Sequence, residues 1–139
     1  MPRPDLAAAL DLAAHPEGGW YRRTWTSPVT VQTEHGPRPT ATAILYLLDG
    51  RSRWHRVRSA ELWCWQSGSP IELTDGGDAP DPDRSAPAVL LGPPALPGTR
   101  PQFPVTAGHW QNAVLHGDEP ALVTCVVSPG FDFDDFEMR

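Results

Sequence analysis

From Asp5 to Ala14 the apolar positions follow a helical rhythm, with Leu6, Leu10 and Ala13 on one face and Asp5 placed to cap the first turn. His15-Pro16 ends that helix, because a residue before proline is pushed toward extended backbone. Beyond Pro16 the rhythm breaks into short pieces. Trp20 to Ser27 alternates aromatic and polar residues, and Thr40 to Leu48 is an apolar, β-branched run. Further strands are predicted at Trp54 to Val57, Glu61 to Gln66, Ile71 to Thr74 and Ala88 to Leu91, then at Gln102 to Val105, His109 to Leu115, Ala121 to Val127 and Phe131 to Phe133. Asp75 to Pro87 carries Asp-Gly-Gly and three prolines and reads as a surface loop. Many short strands separated by turn residues predict an all-β sandwich or barrel. No linker or repeat divides the chain. It reads as one domain over 1–139, with 1–15 as helix and lead-in and 16–139 as the β-rich body.

Composition narrows the function. The chain has 139 residues, a size suited to one core, and 40% of them are hydrophobic, including six tryptophans. A net charge of −6 argues against nucleic acid and anionic membrane surfaces as partners. The N-terminus lacks the basic and continuous apolar regions of a signal peptide, and no run is long enough to span a membrane. All eleven basic residues are arginine, so lysine Schiff-base chemistry, and pyridoxal phosphate with it, is excluded. Cys64 and Cys125 are too few for a disulfide framework and read as reduced core residues of a cytoplasmic protein.

The chemistry concentrates between Gly50 and Gly68. His55, Glu61 and Gly68 fill three slots of the first cupin motif, with Val57 where a second histidine stands in its metal-binding form. Thr106-Ala-Gly108-His-Trp-Gln111 occupies the frame of the second motif, with Gln111 on the ligand slot and Thr106 in place of proline. Residues two apart on a strand share a face, so a hairpin would bring Glu61 back over His55, with His109 on the same side as Gln111. His55, Glu61 and Gln111 form a depleted metal set, since a carboxamide oxygen binds mid-row metals poorly. An organic-ligand pocket is the favoured reading, with a divalent metal as the lesser one.

His15-Pro-Glu-Gly-Gly-Trp-Tyr-Arg22, Ala41-Thr-Ala-Ile-Leu-Tyr46-Leu-Leu48, Glu61-Leu-Trp-Cys-Trp, Gly108-His-Trp-Gln111 and Val127-Ser-Pro-Gly-Phe-Asp-Phe-Asp-Asp-Phe136 extend the match. In order and spacing these resemble the cupin-5 family, small single-domain cupins of unknown function. The resemblance implies a double-stranded β-helix jelly-roll similar to that of RmlC-like sugar epimerases, a pocket inside each barrel, and a homodimer. Cys64 departs from the family pattern by replacing a histidine, and Thr106 by replacing a proline.

The leading expectation is an isomerase- or lyase-like enzyme on a small polar substrate. In it His55 and Glu61 exchange a proton, Gln111 orients the substrate, and Tyr46 or Tyr21 serves as a proton donor. Glu17, Tyr21, Arg22, Trp63, Trp65 and His109 are the other candidate ligand contacts, with Arg22 or Arg23 able to clamp a carboxylate or phosphate. The alternative is a non-catalytic metabolite-binding or sensor module. A metal-dependent dioxygenase is disfavoured by Val57 and Gln111. Phe131 and Phe133 are expected to close the barrel or a dimer interface.

Overall fold

A computed structural model describes residues 2–139. Its elements in chain order are α1 (Asp5–Ala9), β1 (Ala13–Ala14), β2 (Trp20–Thr26), β3 (Thr30–Thr33), β4 (Gly36–Pro39), β5 (Thr42–Leu48), β6 (His55–Val57) and β7 (Ala60–Ser67). They continue with β8 (Ile71–Asp75), β9 (Ala88–Leu91), β10 (Thr99–Arg100), β11 (Gln102–Val105), β12 (Gln111–Leu115), β13 (Ala121–Ser128), a 3-10 turn (Phe133–Asp135) and β14 (Phe136–Met138). Two six-stranded sheets face one another, ordered β1-β2-β5-β13-β7-β11 and β10-β9-β8-β12-β6-β14. The layers stay separate sheets rather than one closed cylinder, and β3 and β4 form a side hairpin that the sequence reading left out.

Strict alternation builds each layer. Along β13, Ala121, Val123, Cys125 and Val127 are buried and the residues between them are half-buried. Trp63, Tyr46, Leu48, Leu73 and Leu91 fill one end of the space between the sheets. On the outside, Ala7 and Leu12 pack against Leu47.

The N-terminal helix is shorter than predicted. It ends at Ala9, and Pro4, not Asp5, occupies the N-cap without a side-chain bond. Leu6 is exposed, while Ala7 and Leu12 make the buried contact. Asp11 turns the chain with φ 57°, in the left-handed region, and Ala13–Ala14 then pairs with β2.

The C-terminal prediction is also corrected: 131–133 is not a strand. After β13 the chain leaves the first sheet, crosses the open end of the sandwich, and joins the second sheet as β14 beside β6. Asp135 anchors this strap through a fork to Arg38 (Nε to Oδ2 2.9 Å, Nη2 to Oδ1 3.0 Å) and a bond from Arg58 at 3.3 Å. The Arg38 guanidinium holds the Asp135 carboxyl below its usual range.

Candidate functional site

The end of the sandwich that the core leaves unfilled is a cavity of about 360 Å³. Glu61, Cys125, Val127, Thr42 and Ile44 face it from the first sheet, and His55 and Val57 from the second. Thus His55 and Glu61 line the same cavity from opposite sheets and are not brought together by a hairpin, because the chain changes sheets between β6 and β7. Phe131, Phe133 and Phe136 cover it from the strap, with Phe136 stacked on the His55 ring at 5.7 Å.

A buried carboxyl, Glu17, is delivered to the cavity by the turn after His15. Gly18 and Gly19 both have positive φ, and a Cβ at Gly19 would lie 2.7 Å from the Tyr46 hydroxyl. Tyr46 itself donates its O–H to the Gly18 carbonyl at 2.6 Å, and the Glu17 carbonyl accepts the Arg53 N–H at 2.6 Å. The turn is therefore pinned from two sides. Glu17 is 7% exposed, with Oε1 at 3.3 Å from His15 Nε2 and Oε2 at 3.1 Å from His55 Nε2. Neither approach is aligned as a hydrogen bond. Oε2 is the buried side-chain polar atom without a hydrogen-bond partner among the described residues.

The tautomers follow from the backbone. His55 Nδ1 lies 2.8 Å from the Arg53 carbonyl, which can only accept, so Nδ1 carries the proton and the Nε2 lone pair faces Glu17. His15 Nδ1 accepts the Glu17 N–H at 3.1 Å, which leaves the proton of its neutral ring on Nε2. Glu17 thus sits between a donor ring and an acceptor ring. Desolvation and then the Glu61 carboxylate push the Glu17 carboxyl well above its ordinary range. Desolvation lowers His15 to about 4, helped by His55, and lowers His55 to about 4 against the pull of the Arg53 carbonyl. Glu61 is raised to about 7 by desolvation, with Gln111 and the Cys125 thiol opposing. At mildly acid pH the cluster is neutral throughout: protons reside on carboxyls, not on imidazoles.

Gln111 does not reach the cavity. Trp63 Nε1–H donates to its Oε1 at 2.7 Å, and an indole N–H cannot accept, so the Gln111 amide nitrogen must face Glu61 Oε1, also at 2.7 Å. Its oxygen is turned to Trp63 and its amide to Glu61, so Gln111 does not join His55 at the cavity as the expected metal set requires. Among the described residues no three His, Cys, Asp or Glu side chains converge as metal ligands.

Other expectations are corrected in the same way. Trp63 is 1% exposed in the packed core, and Trp65 donates to the Ser69 carbonyl at 3.2 Å, so neither indole walls the cavity. His109 lies in the turn before β12, paired with Asp75 at 2.9 Å, because β12 begins at Gln111 and not at His109. Tyr46 is buried with its hydroxyl committed to Gly18, and burial pushes that phenol well up. It holds the turn and offers no proton to the cavity. Cys64 sits half-buried on the opposite side of β7 from Glu61 and Trp63, not in the core.

Glu17, Tyr21, Arg22, His55 and Glu61 do line the cavity. His15, Val57, Cys125 and Phe136 join them and were missed as contacts. In the sequence His15 marks a helix stop and opens the family motif, but it is not among the expected site residues. Its place in the His15-Pro-Glu17-Gly-Gly run, two residues from a candidate carboxylate, was the signal available.

Two facing antiparallel sheets with a hollow at one end define the class: a cupin-type jelly-roll. Within that class the chain belongs to the cupin-5 family, the Cupin superfamily (DUF985) group, which it matches over residues 4–139. It is similar to a hypothetical protein from Leishmania major, at 30% identity over 96% of this chain and 84% of that one, TM-score 0.85. A protein of Shewanella oneidensis is 31% identical over 100% of this chain and 85% of that one, also with TM-score 0.85. Streptomyces Pac13, a nucleoside dehydratase solved with uridine, shares the fold at 15% identity over 86% and 84% of the two chains, TM-score 0.53. No functionally curated protein matches the chain.

Proposed function

We propose that the cavity performs general acid–base chemistry on a small organic molecule, of the lyase or isomerase kind. The observation that carries this reading is the Glu17 carboxyl, set between two imidazoles at the cavity with its Oε2 buried and without a hydrogen-bond partner. Two carboxyl groups in one cavity have different protonation habits, which separates an acid from a base. Glu61, titrating near 7, serves as the base that removes a C–H proton. Glu17 holds its proton and delivers it to a leaving hydroxyl, so that the C–O bond breaks, a C=C bond forms and water departs. In an isomerisation the same pair removes a proton at one atom and returns one at another, with no bond to oxygen lost. The fold likeness to a nucleoside dehydratase is compatible with the first course. Fold alone does not fix it.

The reading is tested by incubating the protein in D2O with a panel of uridine, small hydroxy acids and sugars, following C–H deuterium and water loss by NMR. Turnover is expected to rise with pH through about 7, and Glu61→Gln is expected to lower it by roughly 10²–10⁴-fold. A capture or sensor module is the second reading, favoured by the mainly apolar walls. Panel members that bind without any exchange would establish it and overturn the enzyme.

A further inference from the structure

The cavity is graded from depth to mouth. Its buried lining holds the neutral cluster and apolar walls, whereas its exposed lining includes Arg22, Arg23 and Asp11. Arg22 and Arg23 belong to β2 at the side where the short β1 leaves the sheet edge narrow. Each is fixed by a backbone carbonyl: Arg22 Nε donates to Leu10 at 3.0 Å, and Arg23 Nη2 donates to Phe131 at 2.8 Å. Neither guanidinium lies within ion-pair distance of a carboxylate among the described residues, Asp11 included. Arg38, Arg56, Arg58 and Arg139 are paired with carboxylates, whereas Arg3, Arg51, Arg53, Arg84 and Arg100 share the unpaired state among the described residues but do not line this cavity. In a chain of net charge −6, two anchored arginines share this opening with one carboxylate, Asp11, an excess of positive charge at the mouth. Each keeps N–H groups free beyond its carbonyl bond, in the fork geometry that suits oxyanions.

We infer that the ligand is an amphipathic organic anion, its planar apolar body against Phe131 and Phe136 and its carboxylate or phosphate at Arg22 and Arg23. This rests on the acid–base reading of the same cavity and names its substrate class. The uncharged depth excludes the anion from the interior, since an oxyanion beside Glu17 and Glu61 would be buried without a cation. The anionic end therefore points outward, leaving the body at the acid and base. A volume of 360 Å³ falls at the small end of organic-ligand pockets, which run from about 300 to 1,000 Å³.

Isothermal titration of the whole protein with phenylacetate, phenyl phosphate and uncharged phenylacetamide tests this. Both anions are expected to bind more tightly than the amide, on the order of tenfold. The better of the two identifies the oxyanion. The preference should shrink in high salt and vanish in Arg22→Gln and Arg23→Gln, with Arg22→Lys restoring part of it. Urea unfolding midpoints like that of the wild type show that the variants are folded. Equal affinity for anions and amide, or an anion preference indifferent to both variants, would overturn the subsite while leaving the acid–base reading intact. If none of the three binds, the organic pocket itself falls, and the subsite with it.

Discussion

The two ends of this sandwich are built from the same alternating strands and end up as opposite materials. At one end Trp63, Tyr46 and leucines interdigitate, and the buried polar atoms there have partners: the Trp63 indole on Gln111, the Tyr46 hydroxyl on Gly18. At the other end the inward positions are Glu61, Cys125, Val127, His55 and Val57, side chains too short to meet across the gap. The strap roofs the space without filling it. Burial at the packed end is stabilising because apolar area is removed from water. Burial at the hollow end desolvates four titratable groups that no arginine grips, and this favours their neutral forms. Asp135 shows that burial alone does not do this. It is 9% exposed, close to Glu17 at 7%, yet remains ionised because Arg38 grips it.

The largest expected blow to this contrast is Trp63→Ala, which would open a second hollow at the packed end. A loss of about 3–5 kcal/mol is expected, read by urea unfolding. A loss under about 1 kcal/mol would mean that the packed end is as loosely filled as the cavity.

A second measurement isolates the neutral cluster. Folded Glu61 keeps its proton to about pH 7, whereas an unfolded glutamate releases it near 4.5, so its contribution is full below 4.5 and fades as pH rises through 7. Glu17 acts in the same sense. His15 and His55 act oppositely: folded, they take a proton only near 4 and unfolded near 6.5, so their contributions are full above 6.5 and are lost as pH falls through 4. Two acids and two imidazoles thus cancel, and stability should be nearly flat from pH 4.5 to 6.5. His15→Gln breaks the balance. Its stability should fall by about 1.4 kcal/mol per pH unit as pH rises across that window. A variant that stays as flat as the wild type would show that His15 is already charged in the folded protein.

The smallest effect belongs to the roof. Phe133 is 48% exposed, so Phe133→Ala should change unfolding free energy by no more than about 0.5 kcal/mol while weakening phenylacetate binding. A large stability loss would make the strap part of the packed core and not a cover.

Much of the fold was readable because alternation is local. Ala88–Leu91 and Gln102–Val105 appear at the predicted limits, and β5, β7 and β13 within two residues of theirs. Side hairpin β3–β4 escaped because Gly36-Pro-Arg-Pro39 carries two prolines, and prolines read as breakers while β4 is paired on one side only. At the site, the sequence placed His55, Glu61, Glu17, Tyr21 and Arg22 at the cavity. Glu61 contacts Gln111, as their shared motif slots implied, but the expected His55–Glu61 pairing fails, since His55 faces Glu17.

By itself the sequence determined which residues could face inward, since a two-residue period and the positions of glycine and proline are properties of the chain alone. Tertiary structure decided which inward residues meet. The turn at Gly18 and Gly19, pinned by Tyr46 and Arg53, set Glu17 against His55, and the indole of Trp63 took the Gln111 oxygen. Side-chain pairing across two sheets depends on register and on what fills the space between them, and neither quantity is local.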